Sequence, residues 1–126
     1  MEHVRSVLVV DDTPMLRARI REILEGSRRY RVVAEAGTGE EALALYEEMR
    51  PDIVTLDIVM PGAGGIEACR RILALDPGAA IVVCSSAQEE SVVLEAIGAG
   101  ATDFLGKPVE AERLLRVLDA LPAPDA

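Results

Sequence analysis

A chain of 126 residues, half of them apolar, is sized for one domain with one core, and with two Tyr, one Phe and no Trp that core must be aliphatic. A formal net charge of −9 argues against generic nucleic-acid binding, where basic patches supply the affinity. No window approaches the ~18 apolar residues of a membrane span, and the N-terminus lacks the basic-then-apolar order of a signal peptide, so a soluble, cytoplasmic protein without a membrane partner is expected.

The pattern alternates strand and helix five times. Residues 7–10 (Val-Leu-Val-Val) form a short apolar, β-branched run, as a parallel strand buried on both faces requires. Thr13-Pro14 then offers an N-cap with Pro in the first helical turn. Leu16, Ile20, Ile23 and Leu24 recur at helical spacing, and Gly26 offers a stop. Residues 31–36 make a less apolar second strand, suited to a sheet edge. Thr38 and Glu41 have capping-box spacing, and Ala42, Leu45, Tyr46 and Met49 form the buried stripe of a second helix that ends before Pro51.

Residues 53–56 are the third strand, closed by Asp57. A glycine-rich loop at 61–65 precedes a third helix marked by Ile66, Cys69, Ile72 and Leu73, which stops near Pro77-Gly78. Residues 81–84 are the fourth strand. Val93, Ala96 and Ile97 mark a fourth helix, Phe104-Leu105 a short fifth strand, and Leu114, Val117, Leu118 and Leu121 a last helix. One domain over residues 1–121 is expected, with 122–126 a disordered tail or linker stub.

Cys69 and Cys84 lie in apolar runs and read as small buried hydrophobes in a reducing compartment, too few for a disulfide framework. Arginines gather early, at Arg5, Arg17, Arg19, Arg21, Arg28, Arg29 and Arg31. A solvated helix face is the simpler reading of them, and a field that steers a protein partner is the alternative.

Strands alternating with helices imply a parallel sheet covered on both faces, with ligands beyond the carboxyl ends of the strands. Those ends carry Asp11-Asp12, Asp57, Ser85 and, after the fifth strand, Lys107-Pro108. Crowded carboxylates repel unless a cation compensates, and hard oxygens with room for water suit Mg²⁺. A lysine beside the metal suits a phosphoryl group. The only histidine, His3, lies at the N-terminus, so no Ser-His-Asp set exists. A carboxylate can itself be the nucleophile and form an acyl phosphate, and Asp57 on the middle strand is the candidate. Each residue alone has a plainer reading: Asp11 or Asp12 as a helix cap, Asp57 as a turn residue, Ser85 as a local backbone hydrogen bonder, Lys107 as surface. Their coincidence at four strand ends has no such reading.

Three segments carry a family resemblance: Val9-Val10-Asp11-Asp12, residues 52–61 (Asp-Ile-Val-Thr-Leu-Asp-Ile-Val-Met-Pro), and Ala99-Gly100-Ala101-Thr102-Asp103-Phe104 leading to Lys107-Pro108. Over residues 6 to 120 or so the chain resembles the receiver domains of response regulators, closest to the stand-alone CheY-like chemotaxis type. The resemblance implies a flavodoxin-like, doubly wound α/β fold with five parallel strands in the order 2-1-3-4-5 and five helices. It implies Asp57 as phosphoacceptor and Asp12 and Asp57 as direct Mg²⁺ ligands, with Asp11 acting mostly through water and the Val59 carbonyl completing the set. It implies Lys107 on the phosphoryl group, a cis bond before Pro108, Ser85 (with Ser86 the possible misassignment) as the hydroxyl that moves, and Phe104 as the aromatic switch. Val59 and Ala87 would flank the water that hydrolyses the acyl phosphate.

The implied function is a switch rather than an enzyme, one that assists its own phosphorylation and autodephosphorylation. Its partners would be a histidine kinase or histidine phosphotransfer protein and a downstream target protein, with no direct nucleic-acid contact and a monomeric state. The fourth helix, fifth strand and fifth helix would form the output face. Three departures stand out: Phe104 has no hydroxyl, Gly64 replaces the acidic or amide residue common before Gly65, and Gly98 falls in the fourth helix, where Gly costs up to ~1 kcal/mol. The alternative is the receiver half of a longer regulator with a methylesterase or DNA-binding output. An Asp-nucleophile phosphatase of the haloacid dehalogenase type is a minor third reading, weakened by Val59 where that family carries a second Asp.

Overall fold

The computed structural model describes residues 4–60, 64–86 and 89–122. Among these the order is β1 (Arg5–Val10), α1 (Pro14–Gly26), β2 (Tyr30–Ala36), α2 (Gly39–Met49), β3 (Ile53–Leu56), α3 (Gly64–Leu75), β4 (Ala80–Ser85), α4 (Glu90–Gly98), β5 (Asp103–Gly106) and α5 (Ala111–Asp119). The strands form one parallel sheet in the order β2-β1-β3-β4-β5, as expected, with β3 central and β2 and β5 at the edges.

Period-two alternation divides the core. Val7, Val9, Ile53, Val82, Cys84 and Leu105 turn to one face, where Ile20 and Leu24 of α1 and Leu114 and Leu118 of α5 cover them. Leu8, Val10, Val54, Leu56, Ile81 and Val83 turn to the other, under Ala42 and Tyr46 of α2, Ala68, Cys69 and Ile72 of α3, and Ala96 of α4. Burying each Val, Leu or Ile contributes about 1.5–3 kcal/mol. Both cysteines are free and buried, and burial pushes the Cys84 thiol up to about 12, so it is inert.

Several local expectations change. Thr13 sits at the N-cap position, but its hydroxyl makes no capping bond. The helix stop comes after Gly26, and the left-handed residue is Arg28 (φ 65°). The Thr38–Glu41 box forms with a shift: the Glu41 N–H donates to Thr38 Oγ1 (3.2 Å), while Glu41 Oε1 accepts from the Gly37 N–H (3.2 Å). Met49, placed in the buried stripe by its spacing, is 43% exposed, because it is the last residue of α2 and has turned past the sheet. Ile97 is 46% exposed on the same side of α4 as the exposed Leu94 three residues earlier, while Ala96 takes the buried side. Gly98 is the last residue of that helix, so the interior penalty does not apply to it.

Arg19, Arg28, Arg29 and Arg31 are exposed, in keeping with a solvated surface, and several of the early arginines also tie elements together. Arg5 donates to the carbonyls of Leu118 and Leu121, Arg19 to that of Val109, and Arg29 holds Asp119. Asp119 also accepts from the Tyr30 hydroxyl (2.6 Å), which ties the end of α5 to the start of β2.

Thr55 on β3 is buried between Val9 and Val82, and its hydroxyl is the one buried side-chain oxygen without a partner among the described residues. An unpaired buried hydroxyl costs about 1–3 kcal/mol. Thr55→Val keeps the shape and removes the cost, so it should raise the melting temperature by about 4 °C. An unchanged or lower value by calorimetry would show that the hydroxyl is satisfied in solution.

Candidate functional site

The sheet continues past its strands by single main-chain bonds. The Asp11 N–H donates to the Ala36 carbonyl (3.0 Å), the Asp57 N–H to the Val10 carbonyl (2.9 Å), and the Lys107 N–H to the Ser85 carbonyl (3.0 Å). These bonds set Asp11 and Asp57 side by side and bring Lys107 in from the edge strand. One carboxylate oxygen each from Asp11, Asp12 and Asp57 lie within 4.8 Å of one another, with Asp11 and Asp57 buried and Asp12 exposed. Lys107 Nζ lies 2.8 Å from Asp11 Oδ2 and 3.3 Å from Asp57 Oδ2. Asp11 Oδ1 accepts from the Thr13 N–H (2.8 Å), and Asp57 Oδ1 from the Val59 N–H (3.2 Å).

Burial is the largest influence on Asp57 and pushes its carboxyl above the ordinary carboxylate value. Lys107 pulls it down, and Asp11 adds to the push. For Lys107, burial works against the charged form. The hydrogen bond it donates to Asp11 and the charges of Asp57 and Asp11 outweigh it, so the ammonium is held more firmly than usual. The site thus concentrates negative charge that a single ammonium only partly balances. Three hard oxygens, two of them on buried carboxylates, make a donor set whose chemistry fits Mg²⁺.

The backbone behind Asp57 leaves no slack. Gly65 donates to the Ile58 carbonyl (2.8 Å), and a Cβ on it would lie 2.0 Å from the Asp57 carbonyl oxygen. Gly64 has φ +80°, a conformation that suits glycine in the position where the family commonly has an acid or amide.

The remaining expected residues fall as follows. Ser85 ends β4 fully buried, paired with Gly106 of β5, while Ser86 is exposed. Phe104 pairs with Val83 and is partly buried against the α3 and α4 side of the core. The Lys107–Pro108 bond is cis. Val59 is 63% exposed beside Asp57. Ala87 lies outside the described residues, as do residues 61–63 of the glycine-rich loop. The sequence reading missed Arg17, whose Nη1 donates to the Asp11 carbonyl at 2.5 Å. Nothing in local spacing signals that bond, because the same arginine would serve equally on a solvated helix face.

The family model described as "Response regulator receiver domain" matches residues 7–119. The chain is 45% identical over 114 residues to "Chemotaxis protein CheY" of Listeria monocytogenes, covering 90% of this chain and 95% of that one. It is 42% identical to the "Protein-glutamate methylesterase/protein-glutamine glutaminase" of Bacillus licheniformis, over 81% of this chain but 29% of that longer protein. Among solved structures, the "CheX-CheY-BeF3-Mg+2 complex from Borrelia burgdorferi" superposes with a TM-score of 0.88 at 31% identity, covering 94% of this chain and 90% of that one.

Proposed function

The chain belongs to the response regulator receiver domain family, and from that premise we propose that Asp57 accepts a phosphoryl group and that the signal is of the chemotaxis type. The observation that carries this reading is the meeting of Asp11, Asp12, Asp57 and Lys107 at one sheet edge. Receiver domains of this kind are switches with a kinase upstream and target proteins downstream.

In the proposed step an Asp57 carboxylate oxygen attacks the phosphorus of a phosphohistidine. The P–N bond breaks, an acyl phosphate forms, and the imidazole of a histidine kinase or phosphotransfer protein leaves with the bond's electron pair and takes up a proton. Lys107, within 3.3 Å of Asp57, moves its ammonium onto an oxygen of the transferred group. Mg²⁺, when bound, would supply the charge that lets anionic donor and acceptor approach. Asp12 and Asp57 would hold it directly, with the Val59 carbonyl. Asp11 would act through water, as the family resemblance implies, while its two oxygens accept from Thr13 and Lys107. Ser85 would turn its hydroxyl toward the phosphoryl group and so give the Phe104 ring room to turn inward. The output face is then α4, β5 and α5, where Leu94 and Ile97 stand exposed.

The domain spans residues 1–121 in this reading, works as a monomer in the cytoplasm and touches no nucleic acid. No helix among the described residues is long and apolar enough to cross a membrane. The methylesterase relative, of which this chain spans less than a third, supports the second reading, a receiver half of a longer regulator. The phosphatase reading has no second acid to stand on, since that position is Val59.

Incubation with acetyl phosphate tests the proposal. Intact-mass analysis should show one added phosphoryl group with Mg²⁺ present and almost none with a chelator. Labelling that ignores Mg²⁺ would overturn the role of the acidic trio. A second expectation concerns the lifetime. The exposed Val59 side chain cannot orient a water for in-line attack on the acyl phosphate. Val59→Asn supplies a polar group there and should speed dephosphorylation severalfold once the donor is removed. Equal decay would mean that water access is set elsewhere.

A further inference from the structure

We infer that the Glu35–Arg17 ion pair positions the Asp11–Asp12 turn for cation binding, which makes Arg17 a positioning residue and Glu35 the group that aims it. The inference rests on Asp11, Asp12 and Asp57 being the cation site. Arg17 lies on α1 with its guanidinium spanning two acceptors: Nη1 donates to the Asp11 carbonyl at 2.5 Å and Nε to Glu35 Oε1 at 3.1 Å. Arg21, one turn further on, takes the other Glu35 oxygen through Nε at 2.9 Å. Glu35 is therefore held by both of its oxygens and fixes the plane of the Arg17 head from the neighbouring strand β2.

Asp11 is pinned at each of its polar groups. Its N–H goes to Ala36, its carbonyl takes Arg17, and its carboxylate oxygens take the Thr13 N–H and Lys107. Arg17 supplies the only one of these contacts that holds the peptide between Asp11 and Asp12, the link that sets the two carboxylates relative to each other.

Charge alone predicts the opposite of this role. A cation beside a cation site repels the incoming metal, so simple removal of Arg17 would tighten Mg²⁺ binding. Positioning predicts weakening, because groups that orient metal ligands are typically worth 10–100-fold in affinity. The sign of the effect separates the two.

The experiment is a calorimetric Mg²⁺ titration of the full chain, paired with amide hydrogen exchange of the metal-free protein. Arg17→Met should raise the Mg²⁺ Kd about tenfold. Arg17→Lys keeps the charge but cannot span carbonyl and carboxylate with one planar head, so it should raise the Kd to a lesser extent. In both variants the Thr13 amide, bonded to Asp11 Oδ1, should exchange faster without metal. Should Arg17→Met fail to fold, Arg17→Lys carries the test. An unchanged or tighter Kd in the variants, with the wild type binding Mg²⁺, overturns the positioning role, and so does unchanged Thr13 exchange. A wild type that binds no Mg²⁺ instead overturns the reading of the acidic trio, and the exchange measurement still decides whether Arg17 holds the turn.

Discussion

Asp57→Asn should gain no phosphoryl group from acetyl phosphate and Mg²⁺ under conditions that label the wild type once. The amide has the size of the carboxylate but not its anionic oxygen, so no acyl phosphate can form. The substitution should not threaten the fold. Burial and the neighbouring Asp11 already push the Asp57 carboxyl upward, so a neutral group at this buried position is tolerated, and Lys107 retains Asp11 at 2.8 Å. Loss of labelling alongside an unchanged denaturation midpoint would therefore report on chemistry alone. Labelling equal to wild type would move the acceptor elsewhere, and peptide mapping would first examine Asp12, the exposed member of the trio.

Gly65→Ala should cost about 3 kcal/mol, at the upper end of what overpacking usually costs. The added Cβ would lie 2.0 Å from the Asp57 carbonyl oxygen and 2.6 Å from the Ile58 Cα. Both obstacles are backbone, and no rotamer change can relieve them. The chain following Asp57 would have to shift, so Mg²⁺ affinity should fall with stability. Gly26→Ala is the control: a Cβ there meets nothing within 4 Å, and because Gly26 is the last residue of α1, where the interior penalty does not apply, alanine should leave stability nearly unchanged. Urea denaturation of the pair checks both. A Gly65→Ala midpoint equal to that of Gly26→Ala would show that the loop after Asp57 is looser than its backbone geometry indicates.

Strand and helix placement was legible in the sequence because it depends on local patterning. Short β-branched runs bounded by Gly, Pro and Asp make buried parallel strands, and apolar residues at helical spacing make the covering helices. The pattern was less informative at helix ends, where Met49 and Ile97 keep the spacing of a buried stripe yet are exposed. Asp11, Asp12, Asp57, Ser85 and Lys107 could be picked out as a group for a related reason: in a parallel sheet the carboxyl ends share one edge, so residues far apart in sequence become neighbours by topology. The sequence by itself therefore determined the elements and which residues stand at the carboxyl edge of the sheet. Only the tertiary structure decided how the charges are shared. Lys107 balances Asp11 and Asp57 together, Glu35 is divided between Arg17 and Arg21, and Arg17 reaches the Asp11 carbonyl. The physical reason is reach. A long cationic side chain can serve solvent or any of several acceptors within its span, and its choice depends on which strand and helix the fold has set beside it.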